Sequence, residues 1–168
     1  MITKEENDTL TLVGPGTPAG ELLRRYWHPV AVAGELTPEK PLKAVKLLGE
    51  DLVVFRQPPA PGESQPRSGL VKERCPHRAA SLAWGRVDDE GIRCPYHGWK
   101  FDRAGKCLEL PAEPAGTPLL NKIRQPAYPV QKVAGLLYAY MGPLPAPLVP
   151  NWDVLAREDG RRWTVIES

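Results

Sequence analysis

A chain of 168 residues with 22 Lys+Arg against 20 Asp+Glu is long enough for one buried core, short for two, and too close to neutral to make nucleic acid an expected partner. Fifteen glycines and twenty prolines disfavour a mostly helical fold, and the longest apolar runs, such as 133–141, fall well short of the ~20 residues of a membrane span. With no signal-peptide pattern at the start, three cysteines point to metal or redox chemistry rather than disulfides, and the expected setting is cytoplasmic, away from any membrane.

In chain order, Thr17 followed by Pro18 is an N-cap with proline at the first helical position, and predicts a short helix over 18–27. His28 follows the helix end, where it can reach the last carbonyls. Short β-branched runs at 30–33, 45–48, 52–56 and 70–72 predict strands of an antiparallel sheet, with a turn at Gly49-Glu50-Asp51 and a surface loop over 58–68. Asp88-Asp89-Glu90-Gly91 and Asp102-Arg103-Ala104-Gly105 predict turns that lead into strands at 92–94 and 106–110, the second of which buries Cys107 as a small apolar side chain. A final strand is expected over 133–141 with Gly135 inside it, then a semi-rigid spacer carrying Pro143, Pro145, Pro147 and Pro150.

The strongest chemical signal is a pair of short segments, Cys75-Pro76-His77 and Cys94-Pro95-Tyr96-His97, with sixteen residues between His77 and Cys94. Each places a thiol and an imidazole within one loop, so two such loops supply two sulfurs and two nitrogens. That is the donor set of a [2Fe-2S] cluster in which histidines replace two cysteines on one iron. Ligand softness assigns Cys75 and Cys94 to the iron that stays ferric and His77 and His97 to the iron that is reduced. Structural zinc is the bland alternative, but it prefers cysteines spaced two to four apart and histidines three to five apart, not mixed Cys-x-His.

These segments, with Arg78, Ala80-Ser81-Leu82, Gly85-Arg86, the run from Tyr96 to Asp102 and Leu22-Leu23-Arg24-Arg25-Tyr26-Trp27, resemble the Rieske domain of ring-hydroxylating oxygenases, nearest the phthalate dioxygenase group. Ala79 departs from the family, which usually has glycine there. The resemblance implies an all-β fold: a Rieske-type antiparallel β-sandwich with a small cluster-binding subdomain made by two hairpins, preceded by the short helix. It implies the [2Fe-2S] cluster as cofactor, a flavin/iron-sulfur reductase as electron donor, and a mononuclear-iron catalytic domain as acceptor, in the neighbouring subunit of a homotrimer that acts on aromatic compounds. It also implies a potential near the bottom of the Rieske range of roughly −150 to +300 mV, because Trp99 stands where a hydroxyl would otherwise donate to a cluster sulfur.

Once His77 and His97 are assigned, only His28 remains, and a centre of two histidines and one carboxylate cannot be built from it. The expected organisation is an N-terminal arm over 1–40, the Rieske domain over 41–142, and over 143–168 a linker and the start of a catalytic domain that the chain lacks. The expected function is one-electron transfer without catalytic residues of its own. A freestanding Rieske ferredoxin is the alternative.

Overall fold

The computed structural model describes residues 2–152 of the chain. It opens with a helix that the sequence reading missed, α1 (Lys4–Thr11), although Thr3 and Glu6 form a capping box in which each side chain accepts the other's backbone N–H. The predicted helix forms as α2 (Pro18–Leu23), capped by Thr17 Oγ1. It stops four residues before the expected end because Trp27 already begins strand β1 (Trp27–Val32). His28 Nε2 donates to the Leu23 carbonyl at 2.7 Å, the helix-end role expected of it.

The remaining strands are β2 (Leu42–Leu47), β3 (Glu50–Gln57), β4 (Arg67–Lys72), β5 (Arg86–Val87), β6 (Ile92–Arg93), β7 (Lys100–Phe101), β8 (Cys107–Glu109), β9 (Ala127–Tyr128), β10 (Val130–Val133) and β11 (Leu136–Tyr140), with a one-turn helix α3 (Leu119–Lys122) before β9. All pairings are antiparallel, in sheets ordered β1-β11-β10, β2-β3-β4-β9 and β5-β6-β7-β8. Two expectations need correction. The turn between β2 and β3 is Leu48-Gly49, with Glu50 and Asp51 already in the strand, and the apolar run 133–141 is the end of a hairpin that turns at Ala134-Gly135. In both turns the two central residues have positive φ, 46° and 77° in the first and 48° and 84° in the second, as tight hairpins require.

Strand β3 explains the layering. Its run Leu52-Val53-Val54-Phe55 is fully buried on both faces, so the sheet that holds it is the middle layer. Leu52 and Val54, with Leu70 of β4, pack against Leu137, Ala139 and Met141 of the β1-β11-β10 side. Val53 and Phe55, with Val71, pack against Ile92, Phe101 and Cys107 of the small sheet, together with Cys75 and Cys94. The antiparallel sandwich thus carries the expected small subdomain on one face. Trp27, Tyr138 and Tyr140 of the first sheet receive the proline segment: Trp27 Nε1 donates to the Pro147 carbonyl at 3.0 Å, and Trp152 stacks on Tyr138. The expected start of a further domain lies, beyond Trp152, outside the described residues.

Helix α2 is tied to the middle sheet by a buried ion pair. Arg24 donates to Glu50 Oε1 at 2.6 Å and to the Leu48 carbonyl, and Glu50 also receives Lys72 Nζ at 2.8 Å and the Tyr128 hydroxyl at 2.9 Å. Burial pushes the Glu50 carboxyl up, but bonds from Lys72, Tyr128 and Arg24 outweigh it and hold the group below the usual carboxylate range; burial and Glu50 together push Tyr128 up to about 12. Since the folded-state pKa is depressed, the contribution is present above the ordinary value of 4.5 and lost as pH falls through the folded one. Glu50→Gln is expected to cost about 1–2 kcal/mol at neutral pH in urea titrations. The gap from wild type should close in acid; a gap independent of pH would contradict this account.

Candidate metal centre

The four candidate ligands sit on two loops that fold alike. In the first, Cys75 N–H donates to Ala80 O and Cys75 O accepts from Ala79 N–H, both at 2.9 Å; in the second, Cys94 N–H donates to Trp99 O at 2.8 Å and Cys94 O accepts from Gly98 N–H at 3.2 Å. Each loop is a six-residue turn beginning Cys-Pro, whose fifth residue has positive φ, Ala79 at 55° and Gly98 at 73°. The departure at Ala79 therefore falls on a left-handed position, where an L-residue costs about 1 kcal/mol. The shared frame also clarifies the two spacings: histidine occupies the third place in one loop and the fourth in the other.

Their supports differ. The second loop joins β6 to β7 as a hairpin tip, as expected. The first lies between β4 of the middle sheet and β5 of the small one, closed by a single bridge between Arg74 and Ser81. The expectation of two neighbouring hairpins holds in full only for the second.

The cysteines point inward and the histidines outward. Cys75 and Cys94 are 2% and 4% exposed and their thiols interact, whereas His77 and His97 are exposed with ring centroids 4.7 Å apart. Burial pushes the Cys75 thiol up to about 11, with Cys94 adding to the effect, and partial desolvation, His97 and Arg78 lower the His77 pKa. A neutral imidazole is the form that can ligate a metal, and a thiol so hard to ionise alone would need a bound metal to ionise it. Trp99 crosses from the second loop to stack on His77, ring centroids 4.3 Å apart and 5° from parallel, while Tyr96, 62% exposed, leans on His97. Cys107 is buried in β8 in the same apolar core, on neither loop, as expected of a packing residue.

Behind the second loop stands a charged cage that sequence reasoning missed. Arg93 donates to the Gly98 carbonyl at 3.0 Å and pairs with Glu109 at 2.7 Å. Lys100, 3% exposed, holds Asp88 and Glu109 at 3.0 Å each and also Glu90. Burial alone would lower the Lys100 pKa; the three carboxylates raise it well above the ordinary lysine range. The charged residues were visible one by one, but not the register that sets Arg93 opposite Lys100 and Lys100 opposite Glu109.

Two inward thiols and two outward imidazoles fit a two-iron cluster with one pair of donors on each metal. Among the described residues no three His, Cys, Asp or Glu side chains gather as a single-ion site. The model of the Rieske [2Fe-2S] domain matches residues 26–132. The chain is 47% identical over 169 residues to the 5,5'-dehydrodivanillate O-demethylase oxygenase subunit of Sphingobium sp., covering 99% of this chain and 38% of that protein. It is 40% identical over 156 residues to the phthalate 4,5-dioxygenase oxygenase subunit of Pseudomonas putida, covering 90% and 34%. The solved structure of NdmA from Pseudomonas putida CBB5 with caffeine superposes with a TM-score of 0.61 at 36% identity, over 72% of this chain and 34% of that one. The chain thus spans little more than a third of the length of these relatives. By its matched domain, its fold and its oxygenase relatives, the phthalate dioxygenase subunit among them, this chain belongs to the Rieske [2Fe-2S] domain family, whose members bind a [2Fe-2S] cluster.

Proposed function

We propose that this chain is the one-electron-transfer module of an aromatic ring-hydroxylating oxygenase, with Cys75 and Cys94 holding one iron of the cluster and His77 and His97 the other. The observation that carries this reading is the segregation of donors on two equivalent loops, thiols within the core and imidazoles at the surface. When bound, the cluster accepts and releases one electron at a time.

The residues of the chain do the rest. The buried cysteines keep their end of the site in apolar surroundings, and the exposed histidines put the other end within reach of a partner. Trp99 shields one face of the His77 ring from water, and Arg93 fixes the turn that presents His97. The donor would be a flavin/iron-sulfur reductase, and the acceptor a mononuclear-iron catalytic domain, in the neighbouring subunit of a homotrimer. Oxygenase subunits among the relatives favour this reading over a freestanding ferredoxin. With His28 engaged at the end of α2, the chain has no second pair of histidines for a catalytic iron.

Anaerobically purified protein should hold iron and acid-labile sulfide in equal amounts and show, on reduction, an electron paramagnetic resonance signal of one electron per chain. Its potential should lie in the lower half of the roughly −150 to +300 mV range. With reductase, NADH, oxygen and aromatic acids it should pass electrons without hydroxylating anything. Stoichiometric zinc would overturn the cluster assignment, and substrate-dependent hydroxylation by this chain alone would overturn the division of labour.

A further inference from the structure

Gln125 is a buried polar side chain that neither the ligand pattern nor the apolar pattern calls for. It lies between α3 and β9, 2% exposed, and its Nε2 donates to two carbonyls, Lys72 O at 2.5 Å and Arg74 O at 3.2 Å. Its own N–H donates to Gly105 O at 2.8 Å, in the turn between β7 and β8. The approach is close: a Cβ at Gly105 would stand 1.8 Å from the Gln125 carbonyl oxygen. The residue therefore touches both the end of β4 and the small sheet.

The main chain explains why a carboxamide is used. Strand β4 is paired with β9 at Leu70 and Val71, and Lys72 N–H still reaches Pro126 O at 2.8 Å. Pro126 has no N–H to return, so the ladder ends there. The carbonyls of residues 72 and 74, two apart and so on one edge, are left without a strand partner. A primary amide has two N–H groups, one for each. On the other edge Glu73 N–H donates to Asp51 O and Glu73 O accepts from Leu82 N–H, so both edges are held just before Cys75.

The second loop has its own restraint in Arg93. Its counterpart in the first, Arg74, is exposed and reaches the Ala79 carbonyl only at 3.4 Å. Gln125 Oε1 has no partner among the described residues. A side chain needed only to fill space would leave no bare acceptor in a core, which indicates that the two donors are what the site uses.

We propose that Gln125 is a positioning residue for the first ligand loop, fixing the strand end from which Cys75 and His77 reach the cluster. This rests on the reading of those two residues as ligands. Gln125→Met keeps the length of the side chain and removes both donors. In the cluster-loaded chain it is expected to shift the resonance spectrum of the reduced protein and to shorten the lifetime of the cluster under a chelator about tenfold, within the range for groups that orient metal ligands. Amide exchange at Cys75 and Ala79 should accelerate while that at Cys94 and Gly98 stays at the wild-type rate. If Gln125→Met does not fold, Gln125→Asn, which keeps the amide one carbon short, should show the same changes in smaller measure. A variant that melts earlier but keeps the wild-type spectrum, cluster lifetime and exchange in the first loop would overturn this inference alone. A cluster that survives Cys75→Ser would overturn the ligand reading, and this inference with it.

Discussion

Cys94→Ser is expected to abolish the visible chromophore and the bound iron while leaving the two larger sheets folded. Cys94 is 4% exposed, beside Cys75 in the apolar core. A serine there offers a hard oxygen that ionises far less readily than a thiol and suits the soft iron–sulfide centre poorly. Strands β3 and β4 pack on their other face, through Leu52, Val54 and Leu70, against a separate core, so most of the fold does not depend on the site. Ligands contribute to folding, so protection from hydrogen exchange should be lost first over 75–101. Retention of the iron spectrum after this change would sink the ligand assignment. Loss of the whole fold would show that the sandwich needs its metal.

Lys100→Met should have the largest effect on stability outside the ligands. The ammonium is 3% exposed and neutralises Asp88, Glu90 and Glu109, which are 37%, 63% and 42% exposed. Breaking a buried pair costs about 3–5 kcal/mol, but these carboxylates can turn to water, which lowers the expected cost to about 2–3 kcal/mol, or roughly 5–10 °C in Tm. The pH dependence carries the signature. Asp88 is pushed up by burial but held low by Lys100 and the Gly91 and Glu90 amides, and Glu109 is held low by Arg93 and Lys100, so their contribution is lost as pH falls through the folded values. The raised pKa of Lys100 confines its contribution to pH below that value. Wild type and variant should therefore differ most from about pH 5 to about pH 10 and converge in acid. Equal melting temperatures near neutrality would show that the cage contributes nothing.

How much of this was legible depends on whether the signal was local. The two candidate ligand loops announce themselves because each packs cysteine, proline and histidine into six residues, and the turns at Asp88 and Asp102 because each Asp side chain accepts from amides two or more residues on. The Thr3–Glu6 capping box was equally local and was overlooked. What was hidden depended on register. Pro126 beside Gln125 has no N–H to give, but nothing local shows that the strand it leaves unpaired is the end of β4, and nothing near Leu48 shows that a leucine will take positive φ in a tight turn. The four consecutive apolar residues 52–55 indicated burial but not that two different cores meet on one strand. Gly135 looked like an interruption within a strand because the hairpin it closes has a β-rich arm on each side.

Strands β1 and β11 lie side by side, with Trp27 opposite Tyr140 and Val32 opposite Leu136. The backbone path from Trp27 to Tyr140 is thus a closed excursion that returns to where it set out, with the two candidate ligand loops near its middle. A unit whose entrance and exit are adjacent can be spliced into a host polypeptide, or have its ends joined and reopened elsewhere, without disturbing its interior. In such a graft the two-loop site travels as cargo, with the cores on both faces of the middle sheet carried along.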